Sequence, residues 1–234
     1  MNHIEQMFEL QRQLNDHTNG VIWVDGITKE NRKISWYRCI YMEVAEAIDS
    51  FNWKHWKSIN TEPDWANIRV ELVDIWHFIM SESIRLKDES YANKYLKLKP
   101  QGDFNVEVLI DALEKMLNLS VASNIDPKII NIRDITDLFF TAISQVDMGI
   151  EELYKRYVVK NQLNSFRQRH GYKDGSYIKL WNTVEDNVVA FSIMDENPSI
   201  SPIELYQKLE LRTAQIGWDP LLLNPNIDIS SVKL

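Results

Sequence analysis

Two short carboxylate pairs carry the clearest chemistry in this chain: Glu43-x-x-Glu46 in YMEVAEAIDSF and Glu71-x-x-Asp74 in RVELVDIWHF, each inside a run that is otherwise almost wholly apolar. Residues three apart on a helix share a face, with Cβ atoms about 5–6 Å apart. Each pair therefore projects two carboxylates in one direction, and four negative charges converge if the two helices pack. Neither run supplies enough cations to neutralise them. Buried acids must be protonated, paired or bound to metal. Hard divalent cations take oxygen ligands, and a cluster of two or three Mg²⁺ ions fits a set made only of carboxylates, with Mn²⁺ as a substitute. The alternatives are solvent-facing stripes or pairing with a basic segment further along the chain.

The elements that must position these acids read as helices. Only seven glycines and seven prolines occur in 234 residues, and the stretches between them show periods near 3.6 rather than 2. The expected helices run from Asn2 to Asp16, Ile34 to Phe51, Asp64 to Lys87, Val106 to Ser123, Ile132 to Asp147, Ile150 to His170, Val184 to Glu196 and Pro202 to Leu211. Ser35, Asp64 and Ser201 stand where N-caps belong. Three loops separate them, His17–Arg32, Asn52–Asn60 and Gly171–Ser176. The fold class is all-α, a multi-helix bundle in one domain over residues 1–234, with residues 86–123 a helical subregion inserted after the carboxylate helices and 212–234 an irregular tail. The two carboxylate helices are apolar nearly all round. One leaves a polar stripe of Glu43, Glu46 and Asp49, the other a stripe of Glu71, Asp74, His77 and Ser81. Such helices are normally buried, so their acids face a cavity.

A formal charge of −8 argues against general affinity for nucleic acid, because that affinity is dominated by phosphate neutralisation. No apolar run reaches the length of a membrane span, and the N-terminus lacks the pattern of a signal peptide. The single cysteine, Cys39, excludes an intramolecular disulfide and suits a reducing compartment. The chain reads as soluble and cytoplasmic. Its charge is unevenly distributed: Lys155, Arg156, Lys160, Arg167, Arg169, Lys173 and Lys179 face the single acid Asp174 between positions 155 and 179. Acids in one stretch and bases in another suit a site for metal plus phosphate, although a solvated basic face has the same signature.

The blocks LQRQLND, ISWYRCIYMEVAEAIDSFNWKHWK, IRVELVDIWHF and VVKNQLNSFRQRHGYKDGSYIKLWNTVEDN lie in order between Leu10 and Asn187. In these the chain resembles the dimeric all-α dUTPases, which belong with the MazG-like, all-α NTP pyrophosphatases. The carboxylate motif is shared across that superfamily, whereas the tryptophan-rich loop and the long C-terminal block narrow the match. The resemblance implies a homodimeric, Mg²⁺-dependent dUTP diphosphatase, which also accepts dUDP, releases dUMP and keeps uracil out of DNA. It implies that Glu43, Glu46, Glu71 and Asp74 hold the metal, with Glu43 or Glu46 also acting on the attacking water. Lys160, Arg167, Tyr172, Lys173 and Lys179 match positions around the phosphates. Gln11, Asn15 and Asn164 match contacts to the base, and His77 and Phe78 the base or sugar pocket. His55, in the loop Trp53–Trp56, stands where some relatives carry another tryptophan.

Two other readings compete. A broader MazG-like pyrophosphatase also cleaves dCTP, since amide side chains can present donors and acceptors to either pyrimidine. A di-iron carboxylate bundle is suggested by Asp74-x-x-His77, but such sites use two Glu-x-x-His units and two further glutamates, and only one histidine lies at that spacing.

Overall fold

The helix boundaries follow from local chemistry at their ends. A computed structural model describes residues 1–57, 62–100, 105–126 and 128–215. It begins with α1, His3–Asn19, whose first turn is closed by a capping box. Asn2 Oδ1 accepts from the Glu5 N–H, and Glu5 Oε2 accepts from the Asn2 N–H. The helix α2, Trp36–Asp49, is capped by Ser35, and α3, Trp65–Arg85, by Asp64. Asn105 caps α4, Val106–Ile125. Caps of this kind contribute about 0.5–2 kcal/mol each. The chain continues through α5, Ile129–Ser144, and α6, Ile150–Arg169. A two-residue hairpin of β1, Leu180–Trp181, and antiparallel β2, Val184–Glu185, precedes α7, Asp186–Glu196. The last described element is α8, Pro202–Gln215, opened by Ser201 and Glu204.

The observed helices match the eight expected, with shifts at the ends. The first continues to Asn19, α5 starts at Ile129, and α8 runs to Gln215, four residues beyond the expected Leu211. The helix expected from Val184 begins at Asp186 instead, because Val184 and Glu185 pair with Trp181 and Leu180. The stretch expected as a loop from His17 to Arg32 contains the end of α1 and a 3-10 turn, Val21–Asp25. Most of the expected C-terminal tail, and residues 58–60 of the tryptophan-rich loop, lie outside the described residues.

The chain groups into two compact units, residues 1–155 and 156–234. In the first, α2 packs against α3 and α4, and α4 against α5. Most of α4 falls in the stretch 86–123, so that stretch contributes packing to this unit. Trp76 of α3 is fully buried at its centre. Its indole stacks on Phe139 at 5.0 Å and meets Phe140 and Phe8 edge-on at 5.2 and 5.9 Å. On α2, the buried residues Trp36, Tyr37, Ile40, Val44 and Ala47 form the stripe that faces these neighbours. The second unit packs around Phe166, which meets His170, Tyr177, Trp181 and Tyr206. The turn after α6 needs glycine: Gly171 has φ +87°, and a Cβ there would collide with Ser176 Oγ. No helix among the described residues is long and apolar enough to cross a membrane.

Candidate functional site

Packing of α2 on α3 brings Glu43, Glu46 and Glu71 together, with one carboxylate oxygen from each lying within 4.8 Å of the others. Glu46 is exposed, Glu43 half-buried and Glu71 buried. Asp74 lies outside this three-oxygen group, yet its charge is the strongest electrostatic influence on Glu43. Burial and then the charges of Asp74, Glu71 and Glu46 push Glu43 up to about 8, and Glu43 hydrogen-bonds to Glu71. A carboxyl and a carboxylate hydrogen-bonded in this way share a proton. The thiol of Cys39, one turn earlier on α2, is pushed up to about 11 by burial and then by Glu43. No basic side chain among the described residues forms an ion pair with Glu43 or Glu46. The donor set is oxygen-only and held on two packed helices, as suits a hard divalent cation.

A second cluster joins α1 to α3. Gln11 and Asn15 share the buried face of α1. The His77 Nδ1–H donates to Gln11 Oε1 at 2.6 Å. Gln11 Nε2 donates to Asn15 Oδ1 and to Ser81 Oγ, both at 3.2 Å, and Asn15 Nδ2 donates to Ser81 Oγ at 2.9 Å. Ser81 Oγ in turn donates to the His77 carbonyl at 2.7 Å. Three of the expected base contacts, Gln11, Asn15 and His77, are thus parts of one buried network. Ser81 completes it. Its place one turn after His77 on the polar stripe was the available signal, but nothing in the spacing singles out a serine as the hub.

Phe78 lies four residues from Asp74 on the same face of α3, and its partly exposed ring stacks on Trp36 at 6.0 Å. In the loop after α2, Asp49 accepts from Trp53 Nε1 at 3.1 Å and from Lys54 Nζ at 2.5 Å. His55 and Trp53 both meet the exposed ring of Trp56 edge-on, at 5.0 and 5.6 Å.

In the second unit, the expected phosphate-binding residues divide into two groups. Lys160 and Arg167 are buried, at 3% and 7% exposure. The Arg167 fork donates to both oxygens of Asp186, at 2.8 and 2.7 Å, and its Nη1 donates to Asn164 Oδ1 at 3.2 Å. Lys160 Nζ donates to Asn187 Oδ1 at 2.9 Å. Tyr172, Lys173 and Lys179 are exposed, with Arg167 and Lys179 both set 5.7 Å from the Tyr172 ring centre. Asn164, expected at the base, thus bonds to Arg167. Asp186 was missed by the sequence reading, although it sits in the WNTVEDN stretch. Burial alone would raise its carboxyl, but hydrogen bonds and charge from Arg167, with the Tyr177 hydroxyl and the Asn187 N–H, hold it below the ordinary value.

No curated protein matches the chain. The dUTPase family model matches residues 3–172, nearly three quarters of the 234-residue sequence. That span contains the four carboxylates, the Gln11–Asn15–His77 network and most of the basic block. Both the match and the helical architecture agree with the resemblance carried by the sequence blocks. The chain belongs to the all-α dUTPase family and is a hydrolase of dUTP.

Proposed function

We propose that the enzyme hydrolyses dUTP, and also dUDP, to dUMP with Mg²⁺ held by Glu43, Glu46, Glu71 and Asp74. The observation that carries this reading is the convergence of three carboxylate oxygens within 4.8 Å on two packed helices. When bound, the ion neutralises phosphate oxygens, lowers the pKa of water and stabilises the leaving group. The chain's own residues supply the rest. Glu71 and Asp74 are anchored by the buried helix α3, while Glu43 orients the attacking water and accepts its proton. Lys160, Arg167, Tyr172, Lys173 and Lys179 are assigned to the phosphates. Gln11, Asn15, His77 and Asn164 are assigned to the base, with Phe78 and the Trp53–Trp56 loop, including His55, closing over it. The protein works as a cytoplasmic homodimer that removes dUTP from the pool available for DNA synthesis.

A panel of deoxynucleoside triphosphates, assayed with Mg²⁺, with Mn²⁺ and with excess EDTA, tests this reading. The expected result is dUMP and pyrophosphate from dUTP and loss of turnover in EDTA. Comparable turnover of dCTP would replace uracil specificity with the broader pyrophosphatase activity, and full activity in EDTA would overturn the metal assignment. Sedimentation at micromolar concentration tests the homodimer, against which a monomer would count. The di-iron alternative has less support, because the three-oxygen group contains no histidine and His77 Nδ1 is engaged with Gln11.

A further inference from the structure

We propose that Ser81 is the positioning residue that sets which pyrimidine the site accepts, by fixing which way the Asn15 amide faces. The inference rests on the assignment of the Gln11–Asn15–His77 cluster to the base. Ser81 is fully buried on α3. Its hydroxyl has one hydrogen and two lone pairs. The hydrogen goes to the His77 carbonyl at 2.7 Å. Toward α1, Ser81 Oγ therefore acts only as an acceptor, and it receives Gln11 Nε2 at 3.2 Å and Asn15 Nδ2 at 2.9 Å.

This arrangement removes the two-fold ambiguity of a side-chain amide. With Nδ2 bound to Ser81, Asn15 Oδ1 is the atom that faces Gln11, whose Nε2 donates to it at 3.2 Å and also to Ser81 Oγ at 3.2 Å, so both partners occupy the same edge of the Asn15 amide. Gln11 is held in the same sense, because its nitrogen serves Asn15 and Ser81 while its oxygen receives the His77 Nδ1–H at 2.6 Å. These bonds use both hydrogens of the Gln11 amide but only one of the two on Asn15. The second Nδ2–H and the second Oδ1 lone pair of Asn15 therefore point to opposite sides of the side chain, a donor on one side and an acceptor on the other, each of fixed sense.

That fixed sense decides between the two pyrimidines at the one atom of the base that meets Asn15. Uracil offers an acceptor at O4 beside a donor at N3–H, whereas cytosine offers a donor at its 4-amino group beside an acceptor at N3. An amide turned over exchanges its oxygen and nitrogen, and so meets the same atom of the base with an acceptor in place of a donor. A serine that can only accept blocks that turn, since it would set Asn15 Oδ1 against the Ser81 oxygen with no hydrogen between them. A site built on hydrogen bonds of fixed sense rejects the mismatched base because buried polar groups are left unpaired.

The test compares kcat and KM for dUTP and dCTP in the wild type, Ser81→Ala, Ser81→Cys and Asn15→Ala, with melting temperatures for all four. Ser81→Cys keeps the volume and supplies only a weak acceptor, so it serves if Ser81→Ala fails to fold. The expected result is that the preference for dUTP over dCTP falls about tenfold in the Ser81 variants, from the loss of one or two net hydrogen bonds, with KM moving more than kcat. Equal losses on both substrates, with the preference intact, would show a merely structural serine and overturn the inference. If Asn15→Ala collapses the preference while both Ser81 variants retain it, the inference fails and the base assignment stands. If Asn15→Ala also leaves the preference unchanged, the base assignment itself fails.

Discussion

Glu43 and Asp186 are both acids at helical positions shielded from solvent, one in each unit of the chain, and their protons are driven in opposite directions. Asp186 is 1% exposed, yet it is held below the ordinary range because the Arg167 fork, the Tyr177 hydroxyl and the Asn187 N–H all favour the charged form. Glu43 is less buried, yet it rises to about 8 because burial and three neighbouring acids act in the same sense. The difference lies in where the cation comes from. Asp186 has its cation in the covalent chain and is electrostatically complete. Among the described residues no ion pair reaches Glu43 or Glu46, and a proton or an ion from solution can offset the repulsion around Glu43. A buried acid with its own arginine is a structural joint, whereas an acid raised by like-charged neighbours is a candidate binding site.

The sharpest way to break this comparison is to remove the built-in cation. Arg167→Ala leaves Asp186 buried without its partner and is expected to cost about 3–5 kcal/mol of stability, read from urea unfolding. Adding Asp186→Asn is expected to recover part of that loss; no recovery would mean that Arg167 does not serve Asp186. Next comes the cluster itself. Glu71→Gln is expected to lower kcat by at least about 100-fold, since even residues behind metal ligands cost about 10–100-fold. The metal-free variant should nevertheless melt higher than the wild type, because one of the repelling charges is gone. A lower melting temperature with normal activity would reverse the contrast.

The pH dependence follows from the same signs. Glu43 rises from an ordinary value of 4.5 to about 8, so its contribution to stability is full below pH 4.5 and is lost as pH climbs to about 8. After discounting for its half-exposed position, the loss is on the order of 2 kcal/mol, and Mg²⁺ should suppress it. Asp186 runs the other way: its stabilisation is present above its ordinary value of 3.8 and is lost as pH falls through its lower folded value. Urea titrations in EDTA and in Mg²⁺ between about pH 2 and 9 check both signs, and equal slopes above pH 4.5 with and without Mg²⁺ would remove the metal from the explanation. The smallest effect is expected at the exposed loop. Trp56→Ala should leave stability within about 0.5 kcal/mol while raising KM for dUTP; an unchanged KM would remove Trp56 from closure of the site.

The legible parts of the molecule are those decided within a turn or two of helix. Ser35, Asp64 and Ser201 could be placed as caps because each bonds to an N–H three residues later. Glu43 and Glu46, like Glu71 and Asp74, could be paired because helical spacing dictates a shared face. The apolar surroundings of both pairs foretold helices packed on several sides. The misses have a common cause. Ser81 meets Gln11 across 70 residues and Asp186 meets Arg167 across 19, and no local period encodes either meeting. The two-residue strands at Leu180–Trp181 and Val184–Glu185 are too short to show alternation, so the start of α7 was set two residues early.

By itself, the sequence determined the all-α class, the pairing of four acids on two helix faces and the separation of acids from bases, because each depends on residue type and helical repeat alone. Tertiary structure decided which acids receive an internal cation and which way the buried amides face. Those outcomes depend on distances between elements far apart in the chain, and electrostatic and hydrogen-bond energies change over a few ångströms that no spacing along the sequence specifies.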